Sequence, residues 1–181
     1  MELRFTPKEF DLLMTEHFVI LVDTQEKVNT HITEYFDEHK ILWKSKALET
    51  GDYSLMITKC EELGIARDWY LTDELCIERK ANLSELVGNF SNASKDEGRV
   101  FREFRRMYGG IRNYLIIEDT TVEDVLNGNY TSSMNPTAVL RTILSLQVKN
   151  GITPLFIKKQ TTPKIIYEIC LNALKSHLVK R

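Results

Sequence analysis

Three acidic residues of this chain stand where a predicted strand ends or bends. Asp23 follows Phe18-Val19-Ile20-Leu21-Val22, Asp52 follows Gly51, and Glu78 lies within Leu75-Cys76-Ile77-Glu78-Arg79-Lys80. Side chains two apart on a strand point to the same face, so Glu78 and Lys80 share one surface while Arg79 faces the other way. A carboxylate beside an amine suits a site that holds a metal ion and a water. The glycine before Asp52 permits a sharp corner, and Glu78 lies 26 positions further on, room enough for two neighbouring strands to bring both carboxylates together. Hard oxygen ligands of this kind suit Mg2+ or Mn2+, which polarise a phosphodiester and acidify a bound water. Lys80 would either orient that water or stabilise developing charge. The chemistry so implied is phosphodiester hydrolysis, although charged residues at strand ends are commonly just solvated or paired and the spacing is not by itself a signature.

The elements that must position these groups follow from periodicity. Thr6 and Pro7 read as the N-cap and first position of a helix running to about His17. The apolar run 18–22 is a buried central strand, and Val28, Ile32, Tyr35 and Phe36 recur at helical spacing. Residues 41–48 alternate, Gly51-Asp52 interrupts, and Tyr53 to Ile57 resumes, which predicts a strand, tight corner, strand unit. After a polar stretch from Lys59 to Asp73, the segment 75–80 is a further strand. Asn82 caps a helix with Glu85 three residues on, and Leu86, Val87 and Phe90 form its apolar face. Ser91 to Gly98 is small and polar and reads as a surface loop. A helix from Arg99 to Tyr108 then carries Arg99, Arg102 and Arg106 on one side, and Gly109-Gly110 ends it. Tyr114 to Ile117 is a buried strand, 122–126 a short helix, and Pro136 opens a longer helix with Val139, Leu140, Ile143, Leu144 and Val148 inward and Gly151 as its stop. Pro154 to Ile157 is a last strand, and Pro163 starts a helix with Ile166, Ile169, Cys170, Ala173 and Leu174 inward. The sum is one α/β domain with a central mixed β-sheet flanked by helices.

Composition narrows the classes. With 181 residues, 43% hydrophobic and 28% charged, the chain is an ordinary globular domain, not a disordered or coiled-coil one. Its longest apolar run, Phe18 to Val22, is far short of the roughly 20 residues that span a bilayer, and Met1-Glu2-Leu3-Arg4 opens no signal peptide, so no membrane partner is expected. Three cysteines without C-x-x-C spacing and four unclustered histidines argue against a zinc site or a disulfide framework. Twenty-four basic against 26 acidic residues leave a net charge of −2, so any polyanion must be held by a local patch. The Arg99, Arg102 and Arg106 stripe is either that patch or a solvated face, since Asp96, Glu97 and Glu103 interleave with it. Lys175, Lys180 and Arg181 read as a solubilising tail.

Taken in order, Val22-Asp23-Thr24-Gln25-Glu26, Gly51-Asp52-Tyr53, Ile77-Glu78-Arg79-Lys80, Leu86-Val87-Gly88, Gly98-Arg99 and Tyr114-Leu115-Ile116-Ile117-Glu118 resemble the nuclease domain of the XPF family of structure-specific endonucleases. The centre of the resemblance is that family's GD…ERK signature, a version of the PD-(D/E)XK site on a restriction-endonuclease-like fold. The segment Asn129 to Pro136 looks like the stand-alone bacterial and phage-type members. The resemblance implies a single nuclease domain over 1–181, with an N-terminal helix (1–17), a nuclease core (18–119) and a C-terminal helical extension with one further strand (120–181). It implies Asp52 and Glu78 as metal ligands, helped by the Ile77 carbonyl and Asp23, with Mg2+ as cofactor and Mn2+ as substitute. Lys80 would be the catalytic lysine, Glu26 and Glu85 supporting acids, and Arg79 either a holder of the scissile phosphate or a link within the site. Glu85 is already explained as a helix cap. DNA, branched or at a single/double-strand junction, would be the partner, contacted by Arg79, Arg99, Arg102 and Arg106, with a homodimer as an option. Repair, recombination or replication would be the setting, a Holliday junction among the family's substrates, and the cytoplasm of a bacterial or phage-infected cell, or a nucleus, the location. Two positions depart from the pattern: Gln25 stands where the first motif commonly has arginine, and Ser84 where the family has an acid. The first departure keeps a second reading open, a catalytically silent DNA-binding or scaffold subunit of a nuclease complex.

Overall fold

Short runs of branched apolar residues become strands buried on both faces, because only a central position in a sheet covered on both sides accepts side chains of that kind at every register position. Strand β1 (Phe18–Val22) and strand β3 (Tyr53–Ile57) are buried at every residue. The computed structural model describes residues 5–92, Met107 and residues 112–178. The expected arginine-bearing helix, its glycine stop, the 93–98 part of the loop and Lys180-Arg181 lie outside them; Met107 itself is helical and buried.

The remaining strands are β2 (Trp43–Ser45), β4 (Trp69–Tyr70), β5 (Leu75–Lys80), β6 (Arg112–Glu118) and β7 (Ile152–Ile157). They build a seven-stranded mixed sheet in the order β2-β1-β3-β5-β6-β7, with β4 attached to β3. Strands β5, β6 and β7 are mutually parallel, β3 runs antiparallel to both β1 and β5, and β2 is parallel to β1. Helix α1 (Pro7–Leu12) starts on a complete capping box between Thr6 and Glu9, then widens into a π-helical turn (Leu13–His17) before β1. Helices α2 (Thr30–Glu38), α3 (Leu83–Asn92), α4 (Val122–Asn127), α5 (Pro136–Asn150) and α6 (Thr162–Leu178), with a 3-10 turn at Lys159–Thr161, complete the described elements. No helix among the described residues is long and apolar enough to cross a membrane.

Alternation along each strand sorts the core into two layers. Ile20, Val22, Tyr53, Leu55 and Ile77 pack with Ile32 and Phe36 of α2 and Ile166, Cys170 and Leu174 of α6. On the opposite side Cys76, Leu115 and Ile117 pack with Leu86 and Val87 of α3 and Val139, Ile143 and Leu146 of α5. A small third cluster, Val19, Leu21 and Met56, also lies on this second face, with Leu48 against it.

Four expectations are corrected. The alternating residues 41–48 do not pair with β3: the strand is short, and β1 lies between it and β3, because α2 supplies the crossover that lets β2 join β1 in parallel. Val28 precedes α2 and is 68% exposed, since the helix begins only after Asn29. Strand β4 falls in the stretch read as polar, two residues being too few to show a period. On α5 the inward stripe is Val139, Ile143 and Leu146, whereas Leu144 and Val148 are 55% and 86% exposed; one helix flank meets the sheet and the adjoining one does not.

This face assignment predicts that Ile143→Ala loses about 2–5 kcal/mol of unfolding free energy, while Val148→Ala stays within about 0.5 kcal/mol of the parent. Denaturant unfolding of both variants checks it.

Candidate active site

The site begins at a glycine. Gly51 has φ +74°, and a Cβ there would fall 2.4 Å from Cys76 Sγ and 3.0 Å from the Ile77 carbonyl oxygen, so any side chain would push β3 and β5 apart. The corner it allows is pinned by two backbone hydrogen bonds: Asp52 N–H donates to Ile77 O (2.8 Å) and Asp23 N–H to Asp52 O (2.8 Å). Tyr53 pairs with Ile77; one step on in this antiparallel register, Asp52 stands across from Glu78. The sheet thus brings together the two carboxylates expected as ligands, on the face that also carries Lys80.

The first polar contacts of the three are short. Asp52 Oδ2 accepts from the Arg79 N–H at 2.7 Å, and Lys80 Nζ donates to Glu78 Oε1 at 2.7 Å. Glu85 lies 3.9 Å from Lys80 Nζ through one oxygen, and its other oxygen accepts from Ala81 N–H at 2.8 Å. Asn82 Oδ1 in turn accepts from Glu85 N–H at 2.9 Å, so Glu85 is both a helix-start residue and a charge beside the lysine. Burial, then the charge of Glu78, drive the Asp52 carboxyl well above the ordinary carboxylate range, with Glu26 adding to the rise; the Arg79 N–H and Lys80 oppose it. Burial alone would lower Lys80, yet the charge and hydrogen bond of Glu78, with Asp52 and Glu85, outweigh it and hold the ammonium above its usual value. The neighbouring Cys76 thiol is pushed up to about 12, by burial first and then by Glu78; it is an inert packing residue.

Arg79 faces the other side of β5, as strand alternation requires, and is buried to 4% side-chain exposure. Its Nε donates to Glu26 Oε1 at 2.9 Å and its Nη2 to the same oxygen, Nη2 also to the Val28 carbonyl at 2.8 Å, and Nη1 to Glu118 Oε2 at 2.7 Å. Glu118, at 1% side-chain exposure, meets His31 Nε2 at 2.8 Å with its second oxygen. Burial would lower the guanidinium, but Glu26, Tyr53 and Glu118 hold it above its ordinary value. Of the two roles open to Arg79, this geometry is that of a link inside the site, because the donors face protein acids and not solvent. Glu26 is therefore the partner of Arg79, and Asp23 is a loop organiser: its two oxygens accept from Leu48 N–H (2.9 Å) and Gln25 N–H (3.2 Å). Sequence reasoning missed His31 and the role of Glu118. An acid directly after the apolar run Leu115-Ile116-Ile117 was the one visible signal for the latter; nothing in the sequence pointed to His31. Arg99, Arg102 and Arg106 lie outside the described residues.

The donor set can be tested against a metal ion. Among the described residues no three His, Cys, Asp or Glu side chains gather into a cage. Two hard carboxylates and the second lone pair of the Ile77 carbonyl remain, which fits Mg2+ or Mn2+, ions that keep several waters and need only one or two carboxylates, and does not fit zinc. The raised Asp52 carboxyl reflects its burial first and then the nearby charge of Glu78.

A model of the ERCC4 domain matches residues 22–169 of the chain. No curated protein matches it. Among solved structures, the chain is similar to XPF from Aeropyrum pernix, with TM-score 0.63 and 16% identity over 87% of this chain and 65% of that one. It is also similar to XPF from Aeropyrum pernix in complex with DNA, with TM-score 0.58 and 18% identity over 90% of this chain and 68% of that one. The chain thus spans less than two-thirds of the first of these proteins, and at such identity the likeness concerns the fold.

Two outcomes follow for the metal-free protein. Asp52→Asn, which keeps an acceptor for the Arg79 N–H, is expected to raise Tm near neutral pH by about 2–4 °C, the shift that about 1 kcal/mol gives in a chain of this size. Because the folded carboxyl binds its proton more tightly than the unfolded one, wild-type stability falls as pH rises from about 4, the unfolded value; the gap to the variant should close at lower pH, as thermal melts across pH in EDTA will show. Arg79→Met is expected to cost about 3–5 kcal/mol, since it strands buried acids, read by denaturant unfolding.

Proposed function

The chain belongs to the ERCC4-domain (XPF) family, and from that premise we propose that it is a metal-dependent DNA endonuclease, acting on branched or otherwise structured DNA in repair, recombination or replication. The observation that carries the reading is the convergence of Asp52, Glu78 and Lys80 on one face at the junction of β3 and β5, with the Gly51 corner and the Arg79 N–H holding Asp52 in place. Asp52 and Glu78, with the Ile77 carbonyl, would hold Mg2+. The bound ion supplies Lewis-acid polarisation of a phosphodiester and an acidified water.

The chain's own residues account for the rest. Hydrolysis forms a bond from water oxygen to phosphorus, breaks the bond to the leaving oxygen and returns a proton to it. Lys80 remains an ammonium at neutral pH, so it serves as a donor and a positive charge at the attacking water or a phosphate oxygen and not as the base. Glu78 and Glu85 keep that ammonium pointed at the carboxylate face. Arg79 preserves the strand path that sets the spacing of Asp52 and Glu78, and phosphate contacts fall to basic residues other than Arg79. The departure at Gln25 leaves the Glu26–Arg79–Glu118 link in place, and intact Asp52, Glu78 and Lys80 favour the enzyme over the silent-subunit reading.

The test is cleavage of labelled duplex, single-strand, flap, fork and four-way-junction DNA with Mg2+, Mn2+ or EDTA. Metal-dependent cutting is expected, reduced about 100-fold or more by Asp52→Ala and by Lys80→Ala. DNA binding should weaken steeply with salt, as phosphate contacts require. Retained DNA binding without cutting under any metal would overturn the enzyme and leave the scaffold subunit.

A further inference from the structure

The carboxylate face of the sheet does not end at the active site. Register carries it across the strands: Ser54 and Met56 of β3, Leu21 and Val19 of β1, Lys44 opposite Leu21 on β2, and Tyr70 opposite Met56 on β4 all lie on the same side. Lys46, two residues after Lys44, continues that face and donates its N–H to Val22 O. Strands β4 and β2 stand on either side of β3 and β1, three strand spacings or about 14 Å apart, yet their side chains meet across the gap. Lys46 Nζ is 4.9 Å and Lys44 Nζ 5.9 Å from the centroid of the Tyr70 ring. Among the described residues no apolar side chain of a helix packs against Val19, Leu21 and Met56; Leu48 does. Tyr70 remains 39% exposed.

An aromatic ring open to solvent with two ammonium groups over it is poorly explained by packing alone, because a branched apolar side chain would cover the cluster better. It combines the two elements that hold unpaired nucleic acid: a π face on which a base stacks, and flexible cations for the adjoining phosphates. From Met56 to Asp52 along β3 is four residues, about 14 Å, close to four stacked nucleotides at about 3.4 Å each. The cleft of about 280 Å³ between Lys46 and the Gly51 corner also carries Glu49 and Asp73, which repel phosphate and confine the contact to the lysine end. We propose that Tyr70, Lys44 and Lys46 form a docking platform for an unpaired stretch of the DNA substrate, a few nucleotides from the bond that is cut. This rests on the nuclease reading above, and gives it a single-stranded arm on the β2–β4 side of the site.

The experiment is fluorescence anisotropy of a labelled oligothymidine and of a labelled blunt duplex in EDTA, with wild type, Tyr70→Ala, Tyr70→Trp and the double substitution Lys44→Gln/Lys46→Gln, each checked for folding by thermal melt. Tyr70→Ala should weaken single-strand binding about 10-fold or more and leave duplex binding within twofold. Tyr70→Trp should restore it, and the double lysine variant should lower the slope of log affinity against log salt by roughly 1.4, the single-strand value for two phosphates. Unchanged oligothymidine binding by folded Tyr70→Ala, equal losses on duplex and single strand, or a melt shift without a binding loss would each overturn the platform. Loss of wild-type cleavage alongside Tyr70-dependent binding would instead overturn the nuclease and keep the platform.

Discussion

Everything at the carboxylate face depends on how Arg79 is held. Its backbone N–H fixes one oxygen of Asp52, and its guanidinium, on the opposite side of β5, is tied to Glu26 after β1, to Glu118 at the end of β6 and to the Val28 carbonyl before α2. One residue therefore joins both edges of the site strand to the neighbouring elements. A buried cation costs several kcal/mol to desolvate, and two acids repay that only while the whole set stays assembled. The consequence is a local structure with few intermediate states: the strand path that spaces Asp52 from Glu78 is either present with all its partners or lost.

The same strand carries ionised groups to both faces of the sheet. Arg79 meets Glu26 and Glu118 below the sheet, whereas above it Lys80 lies against Glu78 and Glu85, beside the buried Asp52. Burial, then the charge of Glu78, raise the Asp52 carboxyl, while Glu78, Asp52 and Glu85 hold the Lys80 ammonium up against its own burial. Crowding of this kind is what the proposed metal-dependent reading would put to use.

The sheet supplies these groups and also the surface around them. Over β5 and β6 the second face is closed by α3 and α5, but over β1 and β3 no apolar side chain of a described helix packs against it, and long polar side chains lie across the strands instead. The junction between a closed and an open half is where Asp52 and Glu78 stand. On the proposed reading, a chain substrate laid along this open half would approach the carboxylates from the β2 side.

Much of this was legible in the sequence. Continuous apolar runs identified β1, β5 and β6, proline and glycine marked the ends of α5, and strand alternation separated Glu78 and Lys80 from Arg79. Strand alternation put Glu78 and Lys80 on one face, but reading them with Gly51-Asp52 as a site took the family resemblance, since such spacing is not by itself a signature. What the sequence did not disclose are relations between distant segments. That β1 inserts between β2 and β3, that His31 and Glu118 complete the hold on Arg79, and that Lys44 and Lys46 reach Tyr70 all depend on strand order and register. A periodic pattern specifies a face and its polarity, but not which other face it will meet, because pairing is decided by the packing of the whole sheet and not by any stretch of chain short enough to carry a period.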